Sequence, residues 1–144
     1  MSPDALFTIL NGLAACGWLL LVLLPRRRWA TDLIAGFGIP AILAVSYTLI
    51  VVTVWGRSDG SFSSLAGVAA LFREPWLLLA GWAHYLAFDL FIGSWEVRDS
   101  RDRGIPHLLV VPCLVLTFLF GPVGWLLYGI VRSVKSRTPK LGAV

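Results

Sequence analysis

Charge is what this chain has least of. Charged residues make up 14% of the sequence, against about 25% in a soluble domain. Cysteine and histidine are scarce too, with two of each. Cys16 and Cys113 each stand alone inside an apolar run. Without a C-x-x-C pair, quinone-linked thiol exchange lacks its chemistry, and both cysteines read as buried, inert thiols. His84 and His107, taken with Asp89 and Asp99, follow no recognised ligand spacing, so no metal is expected. There is no glycine-rich nucleotide loop and no haem signature, hence no expected cofactor. What the chain does have is apolar surface, with 58% of residues hydrophobic and a mean hydropathy of +0.81. A single domain of 144 residues is too small to hide that much in a water-soluble core. The apolar runs call for lipid.

Four such runs stand out, at about 5–24, 33–55, 76–95 and 107–131. They predict an all-α fold, an integral membrane bundle of four transmembrane helices forming one domain over 1–144. The first run stops sharply at Pro25 and Arg26-Arg27-Arg28. Thr31 or Asp32 is placed to cap the second, and Pro40 to kink it. Trp76 and Trp95 bracket the third, about 29 Å apart along a helix, as aromatic belts at the two edges of a bilayer require. The fourth is too long for a core of roughly 30 Å without tilt or a kink at Gly121-Pro122. Between runs two and three, Leu65, Val68, Ala69 and Phe72 follow helical spacing over too few residues to cross, which reads as a short interfacial or re-entrant helix over the mouth of the bundle. Residues 96–106 read as a charged loop. Leu13-Ala14-Ala15-Cys16 looks like a lipoprotein cleavage box. It lacks a basic start, however, and the apolar run continues beyond it.

The net charge is +4 and the pI about 9.6. The basic residues flank apolar runs, a pattern that points to lipid headgroups and away from nucleic acid. With four spans, six Lys and Arg fall on each side of the membrane, so the positive-inside rule ties. The first helix then favours Arg26–Arg28 in the cytoplasm and both termini outside. The chain starts almost at the first run, with no transit peptide, as expected of a bacterial plasma-membrane protein.

Chemistry concentrates in the third run, which carries Trp82, His84, Tyr85, Phe88, Asp89, Phe91 and Trp95. An aspartate near the bilayer centre costs about 2.5–3.5 kcal/mol, so Asp89 should face the bundle interior and be paired or protonated. At 100° per residue, Trp82, Tyr85, Asp89, Gly93 and Glu96 share one face. Gly81, His84, Phe88, Phe91 and Trp95 share another, with His84 and Asp89 about 140° apart. Partners from other helices include Asn11, Ser46, Tyr47 and Tyr128. Asp99 and His107 lie where they can roof a site. Two readings follow from these residues. Either Asp89 and His84 lock the bundle by hydrogen bonds across helices, or they form an intramembrane acid/base site. A proton-coupled carrier is a third reading, and a chain with one central acid would need to form a homo-oligomer to act as one.

The stretch Trp82-Ala83-His84-Tyr85-Leu86-Ala87-Phe88-Asp89-Leu90-Phe91-Ile92-Gly93-Ser94-Trp95, followed by Asp99, resembles the signature of the abscisic-acid-deficient-four-like family. Leu116-Thr117-Phe118-Leu119-Phe120-Gly121-Pro122-Val123-Gly124 and the linker Phe62–Phe72 are similar to it as well. The plant member is linked to converting violaxanthin, an epoxide carotenoid, into allenic neoxanthin. The resemblance thus implies a membrane protein that binds a carotenoid-like isoprenoid and isomerises it without net redox change. On that reading Asp89 is the base or acid and His84 its complement, with Tyr85 and Asp99 as further candidates. Trp82, Phe88, Phe91, Trp95 and Asn11 would bind the substrate, and membrane lipid is the surrounding partner. The alternative is a non-catalytic pigment- or lipid-binding or assembly protein.

Overall fold

A computed structural model describes residues 2–136 and contains six α-helices and no strand among them. Helix α1 is Pro3–Leu23. The Ser2 hydroxyl caps it by accepting the Ala5 N–H at 3.2 Å, and Pro3 occupies the first turn, where a missing N–H costs nothing. Its buried positions, Leu10, Ala14, Gly17, Trp18 and Leu21, form one helical stripe. Cys16 falls off that stripe and is exposed, so only Cys113 is a buried thiol.

Helix α2 is Ile39–Val54, and a π-wound segment, Trp29–Gly38, runs into it without a break. The bend expected at Pro40 takes this form. Proline has no N–H, and in α winding its ring would strike the carbonyl four residues back, that of Gly36. The wider winding ahead of it, in which the Ile39 N–H bonds to Ile34 O five residues back, relieves that clash. Neither Thr31 nor Asp32 caps the segment. The segment starts earlier than expected, at Trp29 after an uncapped Arg28, so both residues lie inside it, where Arg101 engages their side chains.

Helix α3 is the short Leu65–Leu71, capped by Ser64. Helix α4, Pro75–Asp102, is the longest, at 28 residues or about 42 Å. It continues through the segment expected to be a charged loop, where an Asp99–Arg103 pair at 2.9 Å, one turn apart, supports the last turns. Gly104, at φ +66°, then ends it.

The run 107–131, expected as one span, is two helices, α5 His107–Phe120 and α6 Pro122–Ser136. Gly121 between them has φ +49°, a left-handed value at which the chain reverses. The two legs lie backbone to backbone: a Cβ on Gly124 would fall within contact distance of the Thr117 N and 2.5 Å from the Cys113 O. In a continuous helix Gly124 and Thr117 would be about 10 Å apart.

Helix α4 is the centre, packed against α1, α2, α5 and α6. Trp82 meets Asn11 and Gly93 meets Trp18, so α1 runs parallel to α4. Gly36 meets Ser94 and Tyr47 meets His84, so α2 is antiparallel. The α5–α6 hairpin lies along the C-terminal half of α4, its tip at Asp89 and both legs pointing to the arginine-bearing end. Three helical stretches, Pro3–Leu23, Trp29–Arg57 and Pro75–Asp102, are long and apolar enough to cross a membrane, while α5 at 14 residues is not. Leu19, Leu33, Phe37, Leu49, Val52 and Ile130 all point outward and exposed. Hydrocarbon is the solvent that suits such a surface, and the closed helical hydrogen bonding is what hydrocarbon requires.

Candidate functional site

The face of α4 turned to the hairpin carries three polar layers. The first is at the tip. Two helix ends meet there, the C-terminus of α5 with open carbonyls and the N-terminus of α6 with open N–H groups. Tyr85 and Asp89, one turn apart on α4, match these ends. The Tyr85 hydroxyl donates to Phe118 O at 3.0 Å. The Asp89 carboxyl lies against Gly121, where a Cβ would be 3.0 Å from Oδ1, beside the positive end of the α6 dipole. Phenol and carboxyl also interact with each other. Asp89 Oδ2 is buried and has no hydrogen-bond partner. Trp82 stacks on Tyr85 with ring centroids 5.2 Å apart and donates its indole N–H to Asn11 Oδ1 at 3.1 Å.

The second layer lies two turns along. Glu96 is 0% exposed. Its Oε1 accepts the Thr117 hydroxyl at 3.0 Å, and its Oε2 is buried without a partner. The third layer is Asp99, which accepts the Tyr128 hydroxyl at 2.7 Å and pairs with Arg103 at 2.9 Å and Arg132 at 3.0 Å. Tyr128 is fully buried, with Trp95 edge-on to it at 5.5 Å. Trp95 therefore belongs to the hairpin side, where Arg132 lies over its ring at 5.8 Å.

The opposite face of α4 looks to α2. His84 sits there, 5.7 Å from the Tyr47 ring and 4.6 Å from that of Phe88. It lines a cavity of about 250 Å³ with Tyr47, Phe62 and Phe72, partly closed by the α3 segment. A groove of about 280 Å³ lies along the same face, lined by Phe37, Pro40, Ala44, Phe88 and Phe91. Its walls are almost entirely apolar.

Of the residues singled out in the sequence, the structure brings together Tyr85 and Asp89, with Trp82 and Asn11 alongside. It groups His84 with Phe88 and Phe91 on the other side of α4, and places Asp99 and Trp95 at the far layer. His107, expected near the charged segment, ties α5 to the end of α1 through Val22 O at 3.0 Å. Glu96 and Thr117 had no role assigned from sequence. The stripe that includes Asp89 also includes Glu96, and that spacing was the available signal. Among the described residues, no three of His, Cys, Asp and Glu converge as a metal site would require.

No curated protein and no solved structure matches the chain significantly. The model of the ABA DEFICIENT 4-like family matches residues 5–128, a stretch that contains every residue of the three layers except Arg132. With most of its length matched, this membrane protein belongs to the ABA4-like family.

Proposed function

We propose that this protein, in a bacterial plasma membrane, binds a long isoprenoid of the carotenoid class between its helices and isomerises it, with Asp89 as the acid/base group. The observation that carries this reading is a carboxyl at the hairpin tip, set beside a phenol, with one buried oxygen left unpartnered. Isomerising an epoxide to an allenic alcohol needs no redox partner. A base takes the C–H proton next to the epoxide carbon, and the C–H electrons become the new double bond. The C–O bond opens and its oxygen takes a proton. Asp89 supplies the base and the Tyr85 hydroxyl the proton. Transfer from Asp89 back to the phenolate then restores both groups. His84, the complement expected from sequence, lies across α4 from Asp89, so Tyr85 takes that role. The apolar α2–α4 groove, with Phe37, Phe88 and Phe91, lies across α4 from Asp89; on the Asp89 side the exposed rings of Phe7 and Trp82, beside Tyr85, offer apolar surface to a polyene.

A second reading has its own support. Tyr85 satisfies an open carbonyl at the end of α5, and Asp89 lies against the start of α6, which is the work of a bundle lock in a non-catalytic pigment-binding protein. The test is a pigment profile from a violaxanthin-producing bacterium carrying the parent chain, Asp89→Asn or Tyr85→Phe at matched membrane levels. Neoxanthin is expected with the parent alone. Asp89→Asn should remove it, and Tyr85→Phe should lower it by about a hundredfold. Neoxanthin undiminished in Asp89→Asn would remove Asp89 from the chemistry and leave it a packing role, and none from the parent would remove violaxanthin as substrate and favour the non-catalytic reading.

A further inference from the structure

We propose that Glu96 is the waypoint of a proton route inside the bundle, from the Asp99–Tyr128 pair at the arginine-bearing end to Asp89 at the hairpin tip. The three carboxyls sit at seven- and three-residue spacing on one face of α4, about 10.5 Å and 4.5 Å apart by helical rise. The hairpin covers this face. Glu96 is in electrostatic range of Asp89 on one side and of Tyr128 on the other. Cys113 and Thr117 of α5 complete its surroundings. Arg103 and Arg132 go to Asp99 at the outer end. That leaves Asp89 and Glu96 as two interior acids, each with one buried oxygen that has no protein partner.

A fully buried carboxyl with an unmade hydrogen bond is costly in a bundle surrounded by hydrocarbon. Thr117 could be satisfied by an uncharged acceptor, so it does not explain why an acid is there. An acid between the half-buried Asp89 carboxyl and the buried Tyr128 phenol does have one capability an amide lacks, that of accepting and releasing a proton. Each step passes a proton from an acid to a neighbouring carboxylate, over the short Asp99–Glu96 spacing directly or through one water and over the longer Glu96–Asp89 spacing through a short water chain, and the route holds its charge constant. The outer end is Asp99, with 14% of its side chain exposed, which accepts the Tyr128 hydroxyl at 2.7 Å.

The test reads proton exchange and not pigment, so its failure is separable from failure of the isomerase reading. Infrared spectra of the protein in lipid bilayers report protonated carboxyls through their C=O stretch. Bands lost in Asp89→Asn and in Glu96→Gln assign the two acids, and transfer to heavy water gives their exchange rates. Exchange at Asp89 is expected to slow about a hundredfold in Glu96→Gln, to slow in Tyr128→Phe, and to recover in Glu96→Asp. Glutamine keeps the Thr117 hydrogen bond. Should that variant fail to accumulate, Tyr128→Phe against the parent carries the same comparison. An Asp89 exchange rate unchanged in these variants would overturn the route, as would the absence near neutral pH of any protonated band that either variant removes. A Glu96 band displaced by sodium would assign the pocket to a cation and overturn it as well.

Discussion

Arg101 shows at the scale of one residue how the arginine-bearing end is held. One terminal nitrogen of its guanidinium meets both Asp32 oxygens at 3.0 Å, and the other donates to Thr31 Oγ1 at 3.0 Å and to Pro25 O at 3.2 Å. A single side chain thus joins the end of α4 to the turn after α1 and to the π-wound start of the second span. The flat fork of arginine makes this possible, and the point charge of lysine does not. The pair is only partly shielded, at 23% and 32% side-chain exposure, so its worth must be discounted for solvent screening. A double-mutant cycle of Asp32→Asn and Arg101→Gln, read by thermal unfolding in detergent, should give a coupling of about 1 kcal/mol. Arg101→Lys should lose most of it. Zero coupling would mean the two side chains are each solvated and the joint is made by packing alone. The Tyr85–Asp89 face was legible in the sequence, because helical periodicity alone sets it. Their meeting with Phe118 and Gly121 was not. That contact depends on where a distant segment reverses, and no local pattern reports it.

At the scale of elements the telling segment is the α5–α6 hairpin. The sequence showed one long apolar run with Gly121-Pro122 inside it, and apolarity cannot distinguish a kink from a reversal. Two glycines decide between them. Gly121 adopts a positive φ, and Gly124 lets the returning leg touch the backbone of the outgoing one. At Gly129, a turn further on, an added Cβ would meet nothing within 4 Å. Alanine at these sites should therefore act very differently. Gly124→Ala should force the legs apart and cost about 2–4 kcal/mol, with much reduced membrane accumulation. Gly121→Ala should cost about 1–2 kcal/mol through strain at positive φ and pressure on Asp89. Gly129→Ala should be neutral or gain up to about 1 kcal/mol from helix propensity. Melting temperatures by fluorescence-detected size exclusion would rank them, and equal effects at Gly124 and Gly129 would contradict a tight hairpin. The other departure, the continuation of α4 to Asp102, has a similar origin. Its charged residues looked like a solvated loop, yet they are satisfied by partners on the π-wound segment before α2, on α6 and on the turn after α1, which only the folded chain supplies.

For the molecule as a whole, the hairpin changes the count of crossings and with it the distribution of charge. Four crossings would divide lysine and arginine evenly between the two sides and leave orientation open. With α1, the Trp29–Arg57 helix and α4 as the crossings, and α5–α6 entering and leaving at the same end, Arg26, Arg27, Arg28, Arg98, Arg101, Arg103, Arg132 and Lys135 share one end of the bundle. Only Arg57 and Arg73 remain at the other among the described residues; Arg137 and Lys140 lie outside them. Eight against two is a strong bias, and the positive-inside rule predicts from it that the arginine-bearing end faces the cytoplasm and anionic lipid. The N-terminus is then outside and the end of α6 inside, in place of both termini outside. Fluorescent-protein and alkaline-phosphatase fusions after residue 136, with an N-terminal tag probed from the periplasm, would read this directly. The expected result is a fluorescent, phosphatase-inactive C-terminal fusion and an N-terminal tag reachable from outside. Phosphatase activity at the C-terminal fusion, with the N-terminal tag still reachable from outside, would mean that the run 107–131 crosses once as a single span and that the hairpin does not form. Thr117 and Tyr128 would then no longer both lie along α4 beside Glu96 and Asp99, and the proton route through Glu96 would be lost.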